Sequence, residues 1–176
     1  MAEYKLDTAQ LKEKAKEFHA GDRVILSGTV YTSRDAAHKR IVQIIKDGGE
    51  LPFELDGAPI YYAGPTPTPR GLPIGSCGPT TSGRMDPFAP LLLDNGLICM
   101  IGKGGRDKSV CEAIERNNAV YLCAVGGAGA LAAKCVKECE EIAFFDLGCE
   151  SVKRIVLNEF PLIVGIDCHG GTMFGG

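Results

Sequence analysis

At 176 residues, with 45% apolar side chains and 23 glycines, the chain is long enough for one domain with a substantial core, 1–176. Its net charge of −3 and pI near 5.6 lack the basic excess of a nucleic-acid-binding surface, and no apolar run reaches the length of a membrane span. The opening residues Met1-Ala2-Glu3-Tyr4-Lys5 carry no signal-peptide pattern, so a cytoplasmic chain without membrane or nucleic-acid partners is expected.

The first element predicted is a short amphipathic helix over residues 7–18, with Leu11, Ala15 and Phe18 toward one side and Gly21-Asp22 at its end. Residues 23–31 then alternate in strand fashion, and Ser33-Arg34-Asp35 leads into a helix containing Ile41, Ile44 and Ile45. Arg34 therefore falls in a strand-to-helix turn, where it either pairs with Asp35, stays solvated, or serves a ligand. His38 follows on the helix as a structural hydrogen-bonder or a catalyst. A loop from Gly48 to Phe53 precedes a short strand over residues 58–63. Gly64-Pro65-Thr66-Pro67-Thr68-Pro69-Arg70-Gly71 excludes regular structure and reads as a stiff wall feeding the segment that follows.

That segment, Ile74-Gly75-Ser76-Cys77-Gly78-Pro79-Thr80-Thr81-Ser82-Gly83-Arg84-Met85-Asp86, concentrates permissive backbone, hydroxyls and one cation. Arg84 offers a planar fork for a carboxylate or phosphate. Asp86-Pro87 reads as an N-cap followed by proline at the first helical position, with Asn95-Gly96 as the stop, which would put an anion on Arg84 near a helix N-terminus.

Leu97-Ile98-Cys99-Met100-Ile101 is a buried strand ending in Gly102-Lys103-Gly104-Gly105, and Ser109-Val110-Cys111-Glu112 reads as the capping box of the next helix. Residues 119–125 form another buried strand, followed by Gly126-Gly127-Ala128-Gly129 and a helix containing Leu131, Ala132, Cys135 and Val136. Two further strands are expected at residues 152–157 and 162–167. The β-α-β succession implies parallel pairing with a site at the strand C-termini. Neither glycine cluster satisfies a dinucleotide fingerprint or a Walker pattern, which leaves a nucleotide or phosphate binder as the lesser reading.

Eight cysteines without a sign of secretion read as thiols. Cys135 and Cys139, four apart on the predicted helix, raise the question of a metal site. The absence of a CxxC or a nearby histidine favours buried apolar thiols and no metal ligands.

Arg34, Thr80, Arg84 and Lys103 share a placement in loops and at strand ends. Three cations and a hydroxyl suit a small dicarboxylate, held bidentately by arginine and by lysine as a point charge. The strings Gly78-Pro79-Thr80-Thr81-Ser82-Gly83-Arg84-Met85-Asp86 and Tyr31-Thr32-Ser33-Arg34-Asp35-Ala36-Ala37-His38-Lys39, with Tyr61-Tyr62-Ala63-Gly64-Pro65 and Gly102-Lys103-Gly104, closely resemble the β subunit of class I iron-sulfur fumarases and L-tartrate dehydratases. In the fused enzymes this corresponds to the C-terminal domain, and the resemblance runs from about Leu6 to about Asp167.

The resemblance implies a compact α/β domain of the swivelling β/β/α type with a mixed sheet. It implies a hydro-lyase that reversibly hydrates fumarate to L-malate, or acts on tartrate, at a site shared with an α subunit. Arg34, Arg84 and Lys103 would bind the substrate, and Thr80 would be the catalytic threonine, activated by an acid from the α subunit. A [4Fe-4S] cluster held by the α subunit, not by this chain, would be the cofactor, and the αβ unit would dimerise. A non-catalytic assembly domain that keeps this fold is the remaining alternative.

Overall fold

The computed structural model describes residues 1–124 and 129–175. Apolar alternation lays one face of β2 (Arg23–Thr32) into the core, where Val24, Leu26 and Val30 are fully buried. Gly28 interrupts this row at a register shift. Its φ is 111°, and a β-carbon there would stand 2.4 Å from Thr8 Oγ1, so the position requires glycine.

After β2 comes α2 (Asp35–Asp47), closed by Gly48 in the left-handed conformation, and then β3 (Pro59–Tyr61) parallel to β2. A long connection containing α3 (Ala89–Asp94) leads to β4 (Cys99–Gly102), and α4 (Lys108–Arg116) leads to β5 (Val120–Cys123). Strands β2 to β5 run parallel in sequence order, as β-α-β connections dictate.

The chain then returns through α5 (Gly129–Cys135), β6 (Val136–Ala143) and the fifteen-residue β7 (Val152–Ile166). β7 pairs antiparallel with β5 on one edge and β2 on the other, so β2-β3-β4-β5-β7 closes into a ring. β6 extends the outer edge of β7, and β1 (Glu3–Asp7) lies parallel to the first half of β2. The result is a mixed α/β domain with a barrel-like mixed sheet, in accord with the expected fold class.

The helical stretch predicted at residues 7–18 is present as 3₁₀ turns around α1 (Leu11–Lys14), with Leu11, Ala15 and Phe18 fully buried. Several local expectations are corrected. β1 was not foreseen, and it exists because β2 offers it a free edge. Cys135 and Cys139 do not share a helix, since α5 ends at Cys135 and Cys139 lies opposite Ile155 in β6. The charged stretch 137–141 suits a helix by propensity, but the ladder with β7 and the Glu140–Arg154 ion pair across it, 2.7 Å, favour a strand.

The two C-terminal strands are one. β7 passes through a bulge at Glu159, whose φ is 53° and whose N–H, turned out of the ladder, donates to Ser27 Oγ at 2.9 Å. The second strand expected over residues 119–125 is seen as Val120–Cys123, while Val125, Gly126, Gly127 and Ala128 lie outside the described residues. No described helix is long and apolar enough to cross a membrane.

Candidate functional site

Parallel strands place their C-terminal ends along one edge, and the loops leaving that edge carry all four predicted residues. Arg34 lies two residues beyond β2, and Ser33 N–H donates to the Tyr61 carbonyl at the end of β3 (3.1 Å). Lys103 is the first residue after β4. The loop from Thr80 to Arg84 is laid across these ends by backbone contacts. Thr80 N–H donates to the Tyr62 carbonyl at 2.7 Å, Thr81 forms a parallel bridge with Lys103, and Ser82 N–H donates to the Lys103 carbonyl at 2.9 Å.

Three contacts hold this loop: two are made by Ser82 and Gly102, which the sequence shows within its motifs, and one by Arg106, which it does not single out. Ser82 Oγ is buried, accepts from Lys103 N–H at 3.0 Å and lies 2.8 Å from the Tyr121 hydroxyl. Gly102 is glycine because a β-carbon there would stand 1.9 Å from Ser82 Oγ. The Arg106 side chain is fully buried, lies over the rings of Tyr62 and Tyr121, and donates to Asp86 Oδ1 at 2.7 Å. The Asp86 carboxylate also accepts Asp107 N–H at 2.9 Å.

Asp86 therefore anchors the loop and is not the N-cap predicted for it. The following helix begins at Ala89, with Phe88 at the cap position, so Arg84 does not adjoin its first turn. The predicted capping box at Ser109 is corrected likewise. Asp107 caps α4 by accepting Val110 N–H at 3.0 Å. An arginine following a glycine-rich strand end was the one signal available for Arg106.

Arg34 and Arg84 meet at one carboxylate. Arg84 Nε donates to Asp35 Oδ2 at 2.9 Å, and its Nη atoms make no hydrogen bond among the described residues. Arg34 is mostly buried, and its Nε faces Asp35 Oδ1 at 4.0 Å and Glu150 Oε1 at 3.9 Å. All three of those atoms are buried and lack hydrogen-bond partners among the described residues. Gly64 opens the space for this guanidinium, because a β-carbon there would stand 3.0 Å from Arg34 Nη1. Lys103 is half-buried and makes no ion pair among the described residues, and the Thr80 hydroxyl has no hydrogen-bond partner there.

His38 lies in the first turns of α2, fully buried, with Nδ1 2.7 Å from Ser33 Oγ and 3.0 Å from the Arg34 carbonyl. Burial lowers the imidazole pKa to about 4, the Arg34 carbonyl opposes the shift, and the charge of Arg106 adds to it. The ring is therefore neutral at pH 7 and serves the turn that carries Arg34.

The proline-rich wall is a closed loop. Thr66 N–H donates to the Ser76 carbonyl at 3.0 Å and Ser76 N–H donates to Thr66 Oγ1 at 2.8 Å. Gly129, the first residue of α5, packs on the far side of this segment, and Cys77 N–H donates to its carbonyl at 3.1 Å.

The eight cysteines are unpaired thiols. Burial raises Cys77 to about 12, and raises Cys99 as well, so neither forms a ready thiolate ligand. Among the described residues no group of three or more His, Cys, Asp or Glu is arranged to hold a metal ion. A cavity of about 490 Å³ lies at the opposite, N-terminal end of β3, lined by Asp7, Thr8, Gly28, Glu54 and Asp56 among others. Its acidic lining is unsuited to an anion, and it holds none of the four predicted residues.

Comparison with known proteins supplies the frame for this edge. The family model for the fumarase C-terminus matches residues 1–176. The chain is 37% identical over 167 residues to the anaerobic class I fumarate hydratase of Escherichia coli, which covers 94% of this chain and 30% of that protein. It is 38% identical over 169 residues to a putative L(+)-tartrate dehydratase subunit beta of Methanocaldococcus jannaschii, covering 93% of this chain and 87% of that one. With the L(+)-tartrate dehydratase subunit beta of Escherichia coli the identity is 34% over 175 residues, covering 96% and 86%. The chain spans less than a third of the length of the fumarate hydratases it matches and most of the length of the beta subunits. Matched over residues 1–176 by that family model and over most of their length to the beta subunits, this chain belongs to the fumarase C-terminus family of hydro-lyase subunits.

Proposed function

We propose that this chain is the β subunit of a two-part hydro-lyase that reversibly hydrates fumarate to L-malate, inactive without an α subunit. The observation that carries the reading is the placement of Arg34, Arg84, Lys103 and Thr80 on one strand-end edge, with the Arg84 Nη atoms and the Thr80 hydroxyl unengaged among the described residues. A free arginine fork and a free ammonium hold the two carboxylates of such a substrate. Thr80 exchanges the proton at the carbon next to the one that bears the hydroxyl.

A free hydroxyl is a poor base at neutral pH, and no carboxylate on this chain contacts that of Thr80 among the described residues. The activating acid therefore comes from the α subunit, and the substrate binds between the two parts. The family resemblance also implies a [4Fe-4S] cluster. Among the described residues the thiols are not arranged to hold one, and we assign it to the α subunit. The assembled αβ unit forms a dimer in the cytoplasm.

The β-subunit relatives favour a second reading, L-tartrate as substrate, since the chain covers them almost end to end. Co-expression with the α-type chain, anaerobic reconstitution, and assay of malate, fumarate and tartrate interconversion test both. Turnover of malate and fumarate above tartrate is the expected result. Faster tartrate dehydration selects the second reading, and no dicarboxylate turnover removes both.

A further inference from the structure

Two guanidinium groups close enough to share one substrate repel each other and have many rotamers, so something must fix their separation. Among the described residues Asp35 is the one carboxylate that faces both. It is the first residue of α2, and its backbone is set by the helix that Gly48 closes. Its Oδ2 accepts from Arg84 Nε at 2.9 Å, while Oδ1 points at Arg34 Nε, 4.0 Å away. Glu150, brought in from the turn before β7, faces the same Arg34 Nε at 3.9 Å.

The geometry on Arg84 is directional. Bonding at Nε occupies the inner edge of the guanidinium and leaves the Nη1/Nη2 end for an incoming carboxylate. Arg34 Nε, Asp35 Oδ1 and Glu150 Oε1 are buried and spaced beyond hydrogen-bond length, so the Arg34 head is steered by charge and not locked by a bond.

We propose that Asp35 is a positioning residue of this hydro-lyase: it holds the inner edge of Arg84 and faces that of Arg34, setting the spacing at which the two arginines receive a dicarboxylate, with Glu150 as a second brace on Arg34. This rests on the proposed function of the same edge. It also opposes a plain charge argument. An aspartate beside a site for a dianion lowers the local positive potential, so if charge alone mattered its removal would tighten substrate binding.

The test uses the assembled two-part enzyme and steady-state kinetics with malate. Asp35→Ala should lower kcat/KM by about ten- to a hundred-fold, the effect of displacing a substrate-binding group by about an ångström. Asp35→Asn should lower it several-fold, because an amide has a single acceptor oxygen and cannot serve both guanidiniums. In an Arg84→Ala background, Asp35→Ala should add less than about two-fold, since the one guanidinium that Asp35 bonds is gone and Arg34 keeps its brace from Glu150.

Unchanged kcat/KM in both Asp35 variants, a lower KM in either, or losses that multiply with Arg84→Ala would overturn the proposal. Should Asp35→Ala fail to assemble, the same cycle is run with Asp35→Asn and the same criteria apply. If Arg84→Ala itself leaves kcat/KM intact, the proposed function of this edge falls first. A loss for Arg84→Ala alone removes only the role of Asp35.

Discussion

A carboxylate meets an arginine through two parallel N–H bonds, and among the described residues Arg84 has that end free because Asp35 occupies its Nε. Lysine at this position can donate to Asp35 or to a substrate, but not to both in one plane. Arg84→Lys should therefore lower kcat/KM of the assembled enzyme by an amount corresponding to about 1.5–3 kcal/mol, with net charge unchanged. The neighbouring threonines separate in the same assay. Thr80 and Thr81 differ in that Thr81 is exposed and bridged to Lys103, whereas Thr80 hangs from the Tyr62 carbonyl with its hydroxyl unengaged among the described residues. Thr80→Val should reduce kcat by about 10²–10⁴, and Thr81→Val much less. Retained exchange of the malate C3 hydrogen with solvent in Thr80→Val would remove that residue from the proton transfer.

His38 makes a prediction that needs no partner chain. In the unfolded chain the imidazole protonates near 6.5, and in the folded protein only near 4. Above 6.5 both states are neutral and the group contributes no pH dependence. As pH falls from 6.5 to 4 the unfolded state gains a proton that the folded state refuses, so stability declines, by about 3 kcal/mol in total at about 1.4 kcal/mol per pH unit. Urea unfolding measured across that window should show the slope, and His38→Gln should flatten it.

At the scale of elements, the edge depends on two close approaches, at Gly64 and Gly102, that the sequence displays only as glycines. Gly102→Ala would drive a β-carbon into Ser82 Oγ and within 2.9 Å of the Tyr62 ring, displacing the turn that carries Lys103. We expect a loss of about 1–3 kcal/mol in unfolding free energy, with a fall in kcat/KM larger than stability alone explains. Elements whose apolar residues follow their own period, β2, α2 and β4, were legible in the chain, because burial on one face writes itself into local spacing. Those formed by an edge seeking a partner were not. β1 and β6 carry charges that fit a helix or coil equally well, and β7 reads as two strands because Glu159 and Pro161 mimic a turn where the structure has a bulge. The four site residues were legible as residue types in loops after strands. Asp35 was visible only as a neighbour of Arg34, and Glu150, 116 positions away, left no local trace.

For the whole molecule the decisive contact is the seam between β2 and β7, which runs from Arg23 opposite Ile163 to Thr32 opposite Lys153. Without β7 the ring opens, β5 loses its antiparallel neighbour and β6 has nothing to pair with. A chain ended after Ser151 should keep helical signal but lose cooperative thermal unfolding, which circular dichroism and calorimetry together would register.

The same seam sets an order of events during synthesis. A chain emerges from the ribosome amino end first, so β2, the Arg34 turn, the Thr80–Arg84 loop and Lys103 are all in solution while the strand that closes the ring is still being made. For that interval β2 presents an unpaired edge to every other nascent copy, and a pairing between residues some 130 positions apart is slow to form once the last strand arrives. Crowded translation of this message should thus be the stage at which the protein is lost, and slowing initiation should raise the yield of folded chain more than any change to the finished molecule.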